Sequence, residues 1–179
     1  MKIHAEESGQ ALLELSFGFV ILVTFVLGLV DFGQAVYDAE VMKNLTRESS
    51  SLASRGASLS STASGVVSHA ASAVNLGGQG CVILTVVTNN GGSLQVTDQA
   101  SQCAITGTSS KIGCVQGQSG CNTSTPTIPT AATTALQGEV SGSSLFVTEV
   151  FYNYKASTPI TQFLQGSALP TQLYSVAYY

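Results

Sequence analysis

Gly9-Gln10-Ala11-Leu12-Leu13-Glu14 opens into an uncharged apolar run from Leu15 to Val30, and this stretch decides how the N-terminal part of the chain is built. A helix from Ala11 to Val30 rises about 30 Å at about 1.5 Å per residue, the thickness of the hydrocarbon core of a bilayer. Glu14 lies just inside that segment, where a charge costs roughly 2.5–3.5 kcal/mol on insertion scales. Three readings accommodate it. One is a secretory signal peptide, with Gly33-Gln34-Ala35 as a small-x-small cleavage site. Another is a plain single-span anchor whose Glu14 reaches out to water. The third is a helix whose carboxylate is repaid by an opposite charge. The length of the run, and Glu6 and Glu7 where a signal leader is basic, speak against the first.

The helical pattern continues past Val30. Phe32, Val36, Ala39, Met42 or Lys43, and Leu45 or Thr46 recur at three-and-four spacing, and Leu52, Ala53, Gly56 and Leu59 prolong the apolar stripe without an intervening proline. This predicts one helix from about Gln10 to the mid-fifties, membrane-spanning first and amphipathic after. A Ser- and Ala-rich helical stretch follows to Leu76, with a break near Gly56 or Gly65. Gly77-Gly78-Gln79-Gly80 is expected to stop the helix.

From Cys81 the chain changes character. Val82–Thr88 is rich in β-branched residues and Leu94–Thr97 alternates, so both read as strands, joined through Asn89-Asn90-Gly91-Gly92 as a hairpin of residues that accept positive φ. Leu145–Tyr154 reads as a third strand, with Leu145, Val147, Glu149 and Phe151 on one face and Phe146, Thr148, Val150 and Tyr152 on the other. Leu173–Tyr179 reads as a fourth. The stretch 99–143, with three cysteines, Pro126 and Pro129, reads as a cysteine-bounded loop that either carries partner contacts or is a passive connection; Thr130–Leu136 is a candidate helical turn. A sheet of about four antiparallel strands on the second half of the long helix would bury the stripes of both.

Composition narrows the function classes. Charged residues make up only 9% of the 179 residues, against about 25% in ordinary soluble domains, so Ser, Thr, Asn, Gln and Gly must wet the surface. A net charge of −4 without a Lys/Arg cluster argues against a nucleic-acid partner. Cys81, Cys103, Cys114 and Cys121 all lie beyond the span, and their even number predicts two disulfides in an oxidising compartment. Four cysteines allow three connectivities and the sequence does not choose among them; in one, Cys114 with Cys121 closes a short loop and Cys81 with Cys103 ties a strand pair together. No cysteine pair has the two-residue spacing of zinc ligands, so neither a metal nor another cofactor is expected. One His beyond the leader, His69, and scattered Asp98, Glu139 and Glu149 form no catalytic constellation, and the chain is read as no enzyme.

The glycine, Gln10-Ala11-Leu12-Leu13, Glu14 and the apolar helix together resemble the type III signal of type IV prepilins. That resemblance implies cleavage by a prepilin peptidase between Gly9 and Gln10. It also makes Glu14 the fifth mature residue, which meets the positive N-terminus of a neighbouring subunit during assembly. Leu29-Val30-Asp31-Phe32-Gly33-Gln34-Ala35 and the late segment Val147-Thr148-Glu149-Val150-Phe151-Tyr152-Asn153-Tyr154-Lys155 resemble TadE-like pseudopilins of tight-adherence (Flp, type IVb) pilus systems. The expectation is therefore a pilin-like α+β chain: a leader over 1–9, a transmembrane helix over 10–30, an amphipathic helical segment over 31–76 and an exported β-rich domain over 77–179. Its implied setting is the inner membrane, with the N-terminus cytoplasmic and the C-terminal domain outside or in an extracellular pilus. Its implied partners are the bilayer, the peptidase, an inner-membrane assembly platform and other pilin-like subunits or copies of itself. Major Flp subunits are much shorter, which favours a minor subunit. The alternative is a single-span anchored or secreted adhesin or binding module.

Overall fold

The computed structural model describes residues 4–70, 72–116, 125–158 and 169–179, with side chains of the first helix described from residue 9 onward. It is an α+β structure in which a long N-terminal apolar helix packs on a small four-stranded antiparallel sheet. The chain divides into two compact units, Met1–Tyr37 with Lys155–Thr171 and Asp38–Tyr154 with Gln172–Tyr179.

Helix α1 runs unbroken over His4–Ser54, 51 residues. It ends where the sequence allows, at Gly56 with φ 90°. Ala57 N–H donates to Leu52 O and Gly56 N–H to Ala53 O, the paired bonds of a Schellman cap, which needs a residue free to enter the left-handed region. Ser58 then caps α2 (Leu59–Ala70), its Oγ accepting from Ser61 N–H at 3.2 Å. The expected stop at Gly77–Gly80 is misplaced. α2 already ends at Ala70, and Gly77 and Gly78 sit in a one-turn helix, α3 (Leu76–Gln79), whose cap Asn75 accepts from Gly78 N–H, while Gly80 opens the strand that follows. That side-chain cap offsets the poor helix propensity of glycine over so short a run.

The hairpin pairs β1 (Gly80–Asn90) with β2 (Ser93–Cys103), and Asn90 faces Ser93 across a two-residue turn. Positive φ falls on Gly91 (63°) and Gly92 (90°), the values of a type I′ turn, whereas Asn89 and Asn90 stay in the strand. Asn89 serves instead as a buried connector. Its Nδ2 donates to Leu136 O and Glu139 O at the C-terminal end of α4 (Thr130–Gly138), and its Oδ1 accepts from Gly92 N–H.

β3 (Ser144–Asn153) pairs with β1, and β4 (Gln172–Tyr178) with β3, giving the order β2-β1-β3-β4. Alternation on β3 is as the sequence predicts, and residues 147–152 are all buried because both faces are covered.

On the Thr148 face lies the second half of α1, through part of the expected stripe and two serines outside it. Met42, Thr46 and Ala53 of the stripe are buried together with Ser49 and Ser50, while its members Phe32, Val36 and Leu52 are exposed. Small side chains let helix and sheet backbones approach, and their hydroxyls are satisfied. Ser50 Oγ donates to Thr148 Oγ1 at 2.8 Å and to Ala177 O at 3.2 Å, Thr46 Oγ1 lies 3.2 Å from Ser175 Oγ, and Ser49 Oγ donates to Leu45 O.

The opposite face is covered by the segment expected to be a loop. Ile112 and Leu136 are buried against Val87, Leu94, Val96 and Val147. At about 1.5–3 kcal/mol for each fully buried large aliphatic side chain, this is a second core and not a passive connection. Five residues of that stretch, Gln99–Cys103, belong to β2, and a bulge at Val86/Val87 turns the end of β2 so that the two halves of the strand present different registers to β1.

Candidate membrane anchor and assembly site

Helix α1 places Gly9 and Gln10 on one turn and Glu14 on the next, all exposed. Its 18-residue apolar window has no residue buried within the protein. Leu12, Leu13, Leu15, Phe17, Phe19, Ile21, Leu22 and Phe25 are exposed all round the helix, so in water this element would leave a large apolar surface uncovered. A helix is also the form in which a backbone can cross lipid, because its polar groups pair internally. The two hydroxyls in the run follow the same rule: Ser16 Oγ donates to Leu13 O and Thr24 Oγ1 to Val20 O. Glu14 shares one face with Ala11, Leu15, Gly18, Phe19 and Leu22, which together line a shallow depression. Ala11 and Gly18 are the small residues beside the carboxylate.

A second carboxylate marks the end of the span. Asp31 is fully buried. Its Oδ1 accepts from Ser157 N–H at 3.1 Å and Thr158 N–H at 3.2 Å, and its Oδ2 from the Thr158 hydroxyl at 2.6 Å. Ser157 Oγ also donates to Gln34 Oε1 at 2.6 Å. Charge-assisted bonds of this kind compensate the burial of a carboxylate. The sequence singles out Asp31 only through a resemblance; nothing in its neighbourhood of chain announces a partner in the connection after β3.

A third carboxylate was read as scattered and is central. Glu149 is fully buried on β3. Its carboxylate accepts from the Ser110 hydroxyl, from Lys111 N–H at 2.9 Å and from the Tyr174 hydroxyl at 2.9 Å. Lys111 Nζ lies 3.8 Å from the Tyr174 ring centroid and 5.7 Å from that of Phe151. One residue thus fastens the covering segment to the sheet. Burial, then the charge of Glu149 and its hydrogen bond, raise the Tyr174 phenol well above its ordinary range; burial and Glu149 also raise Tyr178. Tyr152 is raised by burial and by Asp38, and Asp38 by burial.

Cys81 and Cys103, directly opposite in the β1–β2 register, are joined by a disulfide, one of the pairs that the sequence leaves open. Cys114 is disulfide-bonded as well, and Cys121 lies outside the described residues. His69 is exposed on α2. Among the described residues, no three or more His, Cys, Asp and Glu come together as a metal site would require.

The N-terminal part of α1 is long and apolar enough to cross a membrane once, which suggests a membrane-anchored, single-pass protein. Residues 9–50 match the family model described as TadE-like protein, consistent with a TadE-like pseudopilin of a tight-adherence pilus system. The matched stretch carries both Glu14 and Asp31 and stops four residues short of the end of α1 at Ser54. No curated protein and no solved structure matches the chain.

Proposed function

We propose that this protein is a minor pilin-like subunit of a tight-adherence (type IVb) pilus or a related secretion filament, with a structural and not an enzymatic role. A prepilin peptidase cuts it after Gly9, the helix from Gln10 holds it in the inner membrane, and Glu14 meets the new N-terminus of a neighbouring subunit at the assembly platform. The observation that carries this reading is Glu14 on an exposed apolar face between Ala11 and Gly18, inside the stretch that matches the TadE-like family. A lone carboxylate is expensive there and is offset by an opposite charge. The Cys81–Cys103 disulfide supports an orientation with the sheet on the oxidising side of the membrane.

The test is Glu14→Val in the native host. Membrane insertion should be retained or improved, while recovery of the subunit with sheared filaments should be lost. Equal recovery would favour the alternative, an anchored adhesin or binding module in which Glu14 has no partner.

A further inference from the structure

The exposed face of α1 does not turn polar where the span ends. Val30 closes the apolar run, yet Phe32 (58% exposed), Val36 (53%) and Tyr37 (59%) continue a bare apolar face for two further turns. Past Tyr37 the exposed large side chains on the next turns become Glu40, Lys43, Asn44, Arg47 and Glu48. The change comes about 10 Å beyond Val30 at about 1.5 Å per residue, and a bilayer with headgroups is about 40–45 Å thick against about 30 Å for its hydrocarbon, so a tilted helix crosses the headgroup layer over this distance. The other side of the same turns is closed differently, with Asp31 and Ala35 buried and Asp31 held by Ser157 and Thr158.

We propose that residues 31–37, with Ser157 and Thr158 clamped beside them, form a membrane-surface collar whose occupant is the phospholipid headgroup layer. Phe32, Val36 and Tyr37 lie among the headgroups and upper acyl chains. Tyrosine suits that depth, with an apolar ring and a hydroxyl that reaches water. The Asp31 clamp holds the one carboxylate of these turns on protein donors and away from the lipid phosphates, which would repel it. The inference rests on the membrane-anchored reading and is independent of any role in a filament.

The chain contains no tryptophan, so single-tryptophan variants report depth without background. Phe25→Trp, Phe32→Trp, Tyr37→Trp and Asn44→Trp of the full chain would be placed in phosphatidylcholine vesicles brominated either near the headgroup or near the middle of the acyl chain. Phe25→Trp should be quenched most by the deep bromines. Phe32→Trp and Tyr37→Trp should be quenched about twofold more by the shallow bromines than by the deep ones. Asn44→Trp should remain unquenched with water-like emission. If Phe25→Trp is quenched but Phe32→Trp and Tyr37→Trp behave like Asn44→Trp, the collar is wrong and the span stands. If Phe25→Trp itself escapes quenching, the membrane-anchored reading fails. Blue-shifted, unquenched emission from Tyr37→Trp that depends on the protein-to-lipid ratio would assign the face to a second copy of the chain and overturn the proposal.

Discussion

The Thr158 hydroxyl donates a 2.6 Å hydrogen bond to Asp31 Oδ2 across a sequence separation of 127 residues. With the Ser157 and Thr158 amides on Oδ1, it ties the connection between β3 and β4 to the helix one residue beyond the apolar run. A residue of the TadE-like stretch therefore acts through a part of the chain that the family match does not reach.

Asp31→Ala removes the acceptor that both amides use. A buried donor left unsatisfied costs about 1–3 kcal/mol, so hydrogen exchange at Ser157 and Thr158 in the full chain should accelerate. Thr158→Val, which spares the backbone bonds, should have a smaller effect. Unchanged exchange in Asp31→Ala would show that the clamp does not hold the connection.

Glu149→Gln tests the second anchor. The amide puts a donor where Ser110, Lys111 N–H and the Tyr174 hydroxyl all donate, and bonds to a charged acceptor are worth about 1.5–3 kcal/mol each. A loss of at least about 2 kcal/mol in urea unfolding of the full chain in detergent is expected. A midpoint equal to wild type would contradict this assignment.

These two carboxylates also mark how far the sequence could be read. The long helix, the hairpin at Gly91-Gly92 and the two faces of β3 were legible because each rests on local periodicity or on glycine's freedom at positive φ. The packing face of α1 was legible in part. The spacing picks out Met42, Thr46 and Ala53, which are buried, but also Phe32, Val36 and Leu52, which are not, and it passes over Ser49 and Ser50, whose small size and satisfied hydroxyls matter more than their polarity. Ile112 and Leu136 are isolated apolar residues in a polar stretch and carry no period, so the second core they build could not be seen. Gly9, Gln10 and Glu14 stand out in the sequence as a motif, whereas the cysteines leave three connectivities open until the β1–β2 register sets Cys81 opposite Cys103. Asp31 and Glu149 gained their roles from partners far away in sequence, a relation that a single chain does not encode locally.

Alkaline pH should destabilise the sheet. The phenols of Tyr152, Tyr174 and Tyr178 are all raised above the ordinary 10.0 in the folded protein. The unfolded chain therefore gives up these protons first. Stability is fully present below about pH 10 and falls as pH rises toward the folded values. Thermal melts between pH 8 and 12 should be flat and then decline, with Tyr174 the last phenol to ionise by ultraviolet absorbance. Normal titration of all tyrosines near pH 10 would contradict the burial of these hydroxyls beside Glu149 and Asp38.

Replacing Cys81 and Cys103 together by serine releases a cross-link of sequence separation 22. The chain-entropy relation gives about 3 kcal/mol for such a loop, an upper figure here because the Gly91-Gly92 hairpin already brings the strands together. Denaturant unfolding of the full chain should show a loss of about 1–3 kcal/mol with the strand register kept. Full stability in the double variant would mean that the hairpin alone defines the β1–β2 pair.

The central claim is that Gly9 ends a leader and Glu14 enters an assembly as the fifth residue of the mature chain. Intact-mass and N-terminal peptide analysis of the protein from membranes of its native host, with the prepilin peptidase present and then deleted, tests this most directly. The account predicts a chain beginning at Gln10 in the first case and retaining Glu6-Glu7-Ser8-Gly9 in the second. A mature protein that keeps those residues in both strains would contradict it.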